Sequence, residues 1–241
     1  MNKIKLVGLD LDGTITQHKT KLEEKNKRVL QEICRKYKAV IVAAGACQRV
    51  FEQLNRFKIN IIGNYGMQEA EVIESAGSNQ IKLVKDITVH KNRAEITDKI
   101  ERLRKMTGYL GYQGDTVEFH QSGAITFPLL GTKAKLEDKL SFDPNRLKRR
   151  EIYHLVKNEF SDDTVFIGGT SSFDIVPKEF NKYTALMNYA EKYGVKENEI
   201  VYFGDDYGLG GNDEHVYQSK IKFVKVDDYL MLKECVEALI C

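Results

Sequence analysis

The fold is decided by Lys5-Leu6-Val7-Gly8-Leu9-Asp10-Leu11-Asp12-Gly13-Thr14-Ile15-Thr16, where an apolar run ends abruptly in two carboxylates, a glycine and a threonine. Residues 4 to 9 are rich in Leu, Ile and Val, which predicts a buried parallel strand. Asp10 and Asp12 then lie at the carboxyl end of that strand, where open α/β sheets place their ligands. Carboxylates crowded in one loop need a cation, since otherwise one of them would be held protonated, and Mg²⁺ meets that need. The alternative is a turn that needs only one such acid.

Strand and helix patterns alternate after this first strand. The periodicity predicts a helix over 21–37, a strand over 38–44, a helix over 47–57 and a strand over 59–63. This βαβαβ order predicts an α/β fold with a doubly wound parallel sheet.

The rhythm changes at about residue 67 and returns past Pro177. In between, two helical stretches interrupt short segments that have the composition of strands: 117–120, 124–127, 164–167 and 172–176. The pattern predicts an inserted α+β domain, with an antiparallel sheet covered on one side. We therefore expect a discontinuous core of residues 1–80 plus 180–241, and an insertion over 81–179.

Composition excludes some classes of function. The 241 residues carry a formal net charge of +2, so the chain offers no strong field for nucleic acid or for an anionic membrane. Its four cysteines are widely spaced, which argues against a zinc site or a disulfide framework. No leader sequence and no apolar run long enough to span a bilayer are recognisable. We expect a cytoplasmic protein that binds neither nucleic acid nor membrane.

A second acidic strand end occurs late in the chain. Tyr202-Phe203-Gly204-Asp205-Asp206 repeats the opening arrangement, with a buried strand that ends in carboxylates able to meet Asp10 across adjacent strand ends. Gly210-Gly211-Asn212-Asp213 follows, as a glycine turn into a helix N-terminus. Either Asp206 or Asp213 is a candidate to support the metal, although Asp213 is equally well explained as a helix cap.

The stretch from Asp10 to Thr16 resembles the first motif of the haloacid dehalogenase superfamily of phosphatases and phosphomutases. The resemblance implies a Rossmann-like core with a cap of the C2 type. It makes Asp10 the nucleophile and Asp12 the general acid/base, with the metal held by Asp10, the main-chain carbonyl of Asp12, and Asp205. Lys182 corresponds by order to the third motif, where a lysine supplies fixed positive charge to the phosphoryl group and the nucleophile.

The second motif departs from the superfamily. It ordinarily places a Ser or Thr hydroxyl after the second strand, whereas this strand ends Val42-Ala43-Ala44-Gly45-Ala46-Cys47. Ala44 and Gly45 are the predicted substrate-binding positions here, with backbone amides at the following helix N-terminus in place of the hydroxyl. One lost neutral hydrogen bond costs only about 0.5–1.5 kcal/mol, so activity is expected to be reduced and not abolished.

The stretch 161–213 is similar in particular to the eukaryotic-type phosphomannomutases. The run 168–177 matches that family's Gly-Gly-x-x-Ser-Phe-Asp-x-x-Pro pattern, which implies that Ser172 and Asp174 face the sugar phosphate. The family clamps a distal phosphate with arginines, and the corresponding places here carry Gln113, His120 and Thr132. Loss of bidentate guanidinium contacts weighs against mutase chemistry, which must hold a bisphosphorylated intermediate, and less against hydrolysis.

These observations predict a Mg²⁺-dependent phosphatase that acts on a small phosphorylated metabolite, with a sugar phosphate as the preferred class. A hexose phosphomutase of the phosphomannomutase type is the nearest alternative. A non-catalytic binding protein that retains the fold is a second one, although the retained Asp10, Asp12, Lys182 and Asp205 argue against it. The oligomeric state stays open, with a homodimer as a candidate.

Overall fold

The computed structural model describes residues 3–240, which divide into two compact units. The first unit contains the described residues up to Ile87, together with Asn181–Gly208 and the described residues from Asp213 onward. The second unit contains Thr88–Phe180 and Leu209–Asn212. Among residues 3–240, no helix has the length and apolar character that crossing a bilayer requires.

Over residues 3–240, eleven strands and eight α-helices make up the two units. In chain order they are β1 (Leu6–Leu9), α1 (Glu24–Lys36), β2 (Lys38–Val42), α2 (Cys47–Gln53), β3 (Asn60–Gly63), β4 (Gln68–Ser75), β5 (Ser78–Asp86), α3 (Arg93–Thr107), β6 (Glu118–Phe119), β7 (Ile125–Pro128), α4 (Leu136–Phe142), α5 (Leu147–Glu159), β8 (Asp163–Gly168), β9 (Ser172–Pro177), α6 (Lys182–Glu191), β10 (Ile200–Gly204), α7 (Glu214–Tyr217), β11 (Lys222–Lys225) and α8 (Leu232–Ile240).

The first unit is built on a sheet of seven strands in the order β11-β10-β1-β2-β3-β4-β5. The strands from β11 to β3 are parallel, and β1 lies between β10 and β2. Leu9 pairs with Phe203 on one side and Ile41 on the other, so these three strands end together. The prediction of an α/β fold with a doubly wound parallel core is confirmed, and the register brings the loops after β1, β2 and β10 to one edge.

Helices pack their buried residues against both faces of this sheet. All four residues of β1 are buried, as a strand covered on both sides requires. On one face α1 and α2 pack Ile33 and Val50 into the core, and on the other α6 contributes Leu186 and Tyr189. Each fully buried side chain of this size contributes about 1.5–3 kcal/mol, so the site at the sheet edge rests on a well-packed support.

The β4–β5 hairpin was not predicted. Its two-residue turn, Ala76-Gly77, has positive φ at both positions (51° and 76°), which is the geometry that closes a tight hairpin. The hairpin extends the sheet antiparallel to β3, so the first unit runs to Ile87 and not to the predicted residue 80. Alternation along β4 and β5 is weak because most of β5 is exposed, and the sequence pattern therefore missed it.

The second unit has an antiparallel sheet in the order β6-β7-β9-β8. Helices α3 and α5 supply Ile100, Leu103 and Val156 to a core that includes Phe127 and Phe173 of the sheet. The two predicted helices and four predicted strands of the insertion are all present, and α4 is an additional short helix. The role of this unit as a substrate-selecting cap remains a prediction.

Candidate active site

Asp10 and Lys182 form the centre of the site. Asp10 directly follows β1 and is 3% exposed, while Lys182 is the first residue of α6 and is fully buried. Lys182 Nζ lies 2.6 Å from Asp10 Oδ1. The Asn181 side chain caps α6 by accepting from the Thr184 amide (2.9 Å), which fixes the start of the helix and with it the position of Lys182.

Asp213 is the second partner of this lysine. Lys182 Nζ donates to Asp213 Oδ1 at 2.8 Å, and the hydroxyl of Tyr202 donates to the same oxygen at 2.7 Å. The other oxygen, Oδ2, accepts from the Asp206 amide at 3.1 Å. The side chain of Asp213 does not cap α7, so the helix-cap interpretation is wrong. Asp213 instead links the third motif to the strand end at β10.

Asp205 approaches the same centre from the loop after β10. Thr14 Oγ1 donates to Asp205 Oδ1 at 3.2 Å. Gly13 has a φ of +98°, and a Cβ built on it would lie 2.5 Å from Asp205 Oδ2, so a glycine is required for the carboxylate to approach the first loop this closely.

Asp10, Asp205 and Asp213 can hold a metal ion. Each offers an oxygen, and the three oxygens lie within 4.8 Å of one another. A set of carboxylate oxygens suits a hard divalent cation, and the missing side chain at Gly13 leaves room for the Asp205 carboxylate beside the first loop. Asp213, with both oxygens hydrogen-bonded, is better placed to orient Lys182 than to bind the ion.

The electrostatics of the cluster indicate a need for positive charge. Burial raises the pKa of Asp10 well above its usual value, and the carboxylates of Asp213 and Asp205 raise it further against the effect of Lys182. Burial alone would lower the pKa of Lys182, but Asp10 and Asp213 raise it, which keeps the ammonium charged. A divalent cation bound here would offset the surplus of carboxylates.

Asp12 points toward α2, outside the three-acid cluster. Asp12 Oδ1 accepts from the Lys19 amide and from Gln53 Nε2, both at 2.7 Å, and Arg49 Nη2 lies 3.3 Å from Oδ2. Burial alone would raise the pKa of Asp12, but Arg49 and these two hydrogen bonds lower it. Its side chain is therefore held as a carboxylate. The contribution of its main-chain carbonyl to a metal site remains a prediction.

Side chains of the protein itself contact the loop after β2, where we expected backbone amides that are free to bind phosphate. The Cys47 amide, at the start of α2, donates to Gln68 Oε1 at 3.0 Å, so a side chain of β4 already takes one of the donors expected to hold phosphate. Gly45 lies beneath the guanidinium of Arg49, since a Cβ on it would lie 1.9 Å from Nη2. Ala44 is half-buried, and its contact with substrate remains a prediction.

Ser172 and Asp174 lie on β9 of the second unit. Ser172 Oγ donates to Gly168 O at 2.9 Å, and Asp174 Oδ1 accepts from Thr126 Oγ1 at 3.0 Å. His120 Nε2 lies 2.9 Å from the same threonine hydroxyl. Strand alternation places Ser172 and Asp174 on one face, as predicted, and joins Asp174 to a polar network on β7.

Three residues of the site, Tyr202, Arg49 and Gln53, were not predicted from the sequence. Tyr202 was read only as part of a buried strand, and nothing in a single strand shows that its hydroxyl meets Asp213. Arg49 and Gln53 are four residues apart on one helix, a spacing that places both on the same face and was the available signal.

Curated relatives support the sequence resemblance. The phosphomannomutase of Encephalitozoon cuniculi is 25% identical over 219 residues, which cover 88% of this chain and 83% of that protein. The phosphomannomutase of Saccharomyces cerevisiae is 27% identical over 227 residues, which cover 88% of this chain and 84% of that protein.

Solved structures with low sequence identity share the fold. A haloacid dehalogenase-like hydrolase from Bacillus subtilis superposes with a TM-score of 0.61 at 17% identity, over 96% of this chain and 92% of that one. An IMP-bound, N-terminally truncated IMP-nucleotidase from Plasmodium falciparum gives a TM-score of 0.66 at 14% identity, over 99% of this chain and 68% of that one.

The family assignment follows from the sequence itself. The model of the haloacid dehalogenase-like hydrolase family matches residues 7–213, which span both acidic strand ends, Lys182 and the whole second unit. This match confirms the predicted superfamily and the prediction of an enzyme. The chain belongs to the haloacid dehalogenase-like hydrolase family.

Proposed function

We propose that this protein is a Mg²⁺-dependent phosphatase that hydrolyses a small phosphorylated metabolite of the sugar-phosphate class through an aspartyl-phosphate intermediate. The observation that carries the proposal is the contact of Lys182 with Asp10, at 2.6 Å, beside the carboxylates of Asp205 and Asp213. A carboxylate that must act as a nucleophile has to stay ionised, and a buried, doubly paired lysine favours that form.

Two chemical steps follow from this arrangement. Asp10 attacks phosphorus, the bond from phosphorus to the ester oxygen breaks, and Asp12 gives a proton to the leaving oxygen. Asp12 then takes a proton from water, which attacks the aspartyl phosphate, so that the bond between phosphorus and Asp10 breaks and inorganic phosphate leaves. Mg²⁺, held by Asp10 and Asp205 with the main-chain carbonyl of Asp12, would neutralise phosphoryl charge.

Asp12 has to change protonation between these steps. Its hydrogen bonds to Gln53 and the Lys19 amide, with the nearby Arg49, favour the ionised form that accepts a proton from water. A phosphate dianion arriving beside Asp12 opposes this negative charge and raises the pKa of Asp12, which favours the protonated form needed for the first step.

The mutase alternative is favoured by the relatives named phosphomannomutase, which are similar over 88% of the chain. The second unit weighs against it. Thr132 Oγ1 donates to Asp115 Oδ2, and His120 lies on the Thr126 hydroxyl, so neither place offers a guanidinium fork to a distal phosphate. Lys139 donates to Thr132 O and provides a point charge nearby, which is a weaker substitute for a bidentate clamp.

A screen of phosphorylated metabolites with Mg²⁺ tests the proposal. We expect release of inorganic phosphate from sugar monophosphates, and near-complete loss of release in Asp10→Asn. Asp98→Asn, an exposed aspartate of α3, is the matched control and should retain activity. Interconversion of 1- and 6-phosphates with a bisphosphate activator, without release of phosphate, would support the mutase instead. Equal activity in Asp10→Asn and the unsubstituted protein would contradict both.

A further inference from the structure

Arg49 occupies the place where this chain lacks a phosphoryl-binding hydroxyl. The residues after β2 are Ala43, Ala44, Gly45, Ala46 and Cys47, none of which has a hydroxyl group. The amide of Cys47 is already bonded to Gln68. The guanidinium of Arg49 lies directly over Gly45, within the volume that a side chain at that position would fill.

The position of Arg49 is held by a buried amide. Arg49 Nη1 donates to Gln53 Oε1 at 2.6 Å, and Gln53 is only 6% exposed. Gln53 Nε2 donates in turn to Asp12 Oδ1 (2.7 Å) and Thr16 Oγ1 (2.9 Å), so every polar atom of this side chain is used. An arginine fixed in this way has lost much of its freedom before a ligand arrives, which lowers the entropic cost of binding.

The guanidinium keeps capacity for an anion. Its bonds to Gln53 and Asp12 use two of its five N–H groups. The contact with Asp12 is long, at 3.3 Å, and the Arg49 side chain is 39% exposed, so an entering group can reach it. Planar forks of N–H donors match the oxygens of phosphate.

The balance of charge in the site also favours a phosphate-binding role for Arg49. Asp10, Asp12, Asp205 and Asp213 bring four negative charges against Lys182, which is fully buried and engaged by two of them. With a divalent cation bound, Arg49 is the charge that makes the set neutral before a phosphate dianion enters. Without Arg49, the dianion would meet a site with a net negative charge.

We propose that Arg49 is the phosphoryl-binding group that replaces the missing hydroxyl of the second motif, and that Gln53 is its positioning residue. This inference rests on the proposed phosphoryl-transfer function and adds a residue to it. In this proposal Gly45 is required because any larger residue would clash with the Arg49 guanidinium.

Binding of inorganic phosphate in the presence of Mg²⁺ tests this without turnover. By isothermal titration calorimetry we expect Arg49→Ala to raise the dissociation constant at least 10-fold. We expect the same of Gly45→Ala, because its Cβ would lie 1.9 Å from Arg49 Nη2 and must displace the guanidinium from its position. The double variant should bind no worse than either single one. Arg56→Ala, an exposed arginine paired with Glu52, is the matched control and should bind like the unsubstituted protein.

Turnover of p-nitrophenyl phosphate provides the second readout. We expect Arg49→Ala to lower kcat/KM about 100-fold, as loss of a preorganised donor to a reacting phosphoryl group does. Added guanidinium ion should restore part of the activity, and Ala46→Ser should restore part of it in the Arg49→Ala background. Arg49→Lys should remain below the unsubstituted protein, because an ammonium cannot bind Gln53 and phosphate as a fork.

Outcomes for the two proposals are separable. Unchanged phosphate binding and unchanged kcat/KM in Arg49→Ala, with activity lost in Asp10→Asn, would overturn the role of Arg49 and leave the phosphatase intact. Full activity in Asp10→Asn would overturn the phosphatase, and the calorimetric comparison of Arg49→Ala with Arg56→Ala would still decide whether Arg49 binds phosphate.

Discussion

Lys182 in the first unit and Arg149 in the second are both buried cations paired with aspartate, yet their surroundings differ in the balance of charge. Arg149 Nε donates to Asp143 Oδ2 at 2.9 Å, and the backbone amides of Lys148 and Arg149 donate to the same carboxylate. Arg149 Nη1 donates in addition to Gly168 O and Gly169 O. The Asp143 carboxylate thus faces a guanidinium and two backbone amides, and the Arg149 guanidinium also reaches the backbone carbonyls of Gly168 and Gly169.

Lys182 meets more negative charge than it can neutralise. It contacts Asp10 and Asp213, and Asp205 completes the cluster. The pKa directions reflect the difference. Burial alone would raise the pKa of Asp143, but hydrogen bonds from Arg149 and the two amides lower it, whereas the pKa of Asp10 stays raised by burial and its neighbouring carboxylates. The negative charge of Asp143 is matched by Arg149, and this pair belongs to the packed interior of the second unit. The Lys182 cluster has an excess of negative charge, which a bound metal ion can neutralise.

The largest expected effect is on stability in the second unit. Asp143→Asn removes the charge of the buried carboxylate that Arg149 Nε contacts, and removal of one partner of a buried pair costs about 3–5 kcal/mol. We expect a loss of that size in the free energy of unfolding of the second unit, measured by urea titration. Glu159→Gln removes the partner of Arg102, whose side chain is 55% exposed against 20% for Glu159, and should change the free energy of unfolding by at most about 1 kcal/mol. Equal effects of the two variants would contradict the comparison.

The first unit should respond to metal more than the second. Mg²⁺ at about 100 times its dissociation constant would stabilise the fold by about 2.7 kcal/mol if it binds only the native state. We expect Mg²⁺ to raise Tm in the unsubstituted protein and in Asp143→Asn, but not in Asp205→Asn, which lacks one ligand charge. An equal rise of Tm in Asp205→Asn would exclude that carboxylate from the metal site.

Asp10→Asn should abolish activity and yet stabilise the metal-free protein, because it removes one of the surplus carboxylates while Lys182 keeps Asp213. Stabilising changes at strained sites commonly amount to about 0.5–2 kcal/mol. A lower free energy of unfolding in EDTA for Asp10→Asn than for the unsubstituted protein would contradict the charge surplus.

Asp10 and Asp143 should make the stability of the protein depend on pH in opposite directions. The pKa of Asp10 is higher in the folded state than in the unfolded state. The free energy of unfolding of the metal-free protein should therefore increase as pH falls from above the folded pKa to the unfolded pKa. Asp10→Asn should not show this increase. The pKa of Asp143 is lowered, so its contribution is present above the unfolded pKa and is lost as pH falls through the folded one. Urea titrations across pH, with and without each substitution, measure both.

The sequence predicted the fold because its strongest signals are local. Apolar runs such as Ile200-Val201-Tyr202-Phe203 give strands, and a parallel order brings their ends together whatever the side-chain details. The β4–β5 hairpin was missed because its exposed outer strand has little alternation. Arg149 stands in the basic run Arg146-Leu147-Lys148-Arg149-Arg150, a pattern typical of a solvated helix face, whereas burial of an arginine depends on partners, such as Asp143, that a charge pattern does not reveal.

Within the candidate site, residue types at strand ends were predictable and their pairings were not. The sequence predicts Asp10, Asp205 and Lys182 as partners, but it does not distinguish a helix cap from metal support as the role of Asp213. The direction of the Asp12 side chain, toward Gln53 and Arg49, depends on how α2 packs against the first loop. Such contacts join positions roughly 40 residues apart, and one sequence carries no direct signal for them.

Tyr202 gives the smallest effect and the sharpest test of the cluster's hydrogen bonds. Its hydroxyl is fully buried and donates to Asp213 Oδ1, the oxygen that Lys182 also contacts. Tyr202→Phe should cost about 0.5–1.5 kcal/mol, because Asp213 keeps Lys182 and the Asp206 amide. Tyr189→Phe, which removes a hydroxyl from a buried tyrosine of α6 bonded to Asn60, is the matched control and should have a similar effect on stability. Only Tyr202→Phe should also lower kcat, since the freed lone pair of Asp213 draws Lys182 away from Asp10. Equal kcat in the two variants would show that the Tyr202 hydroxyl does not help to position Lys182.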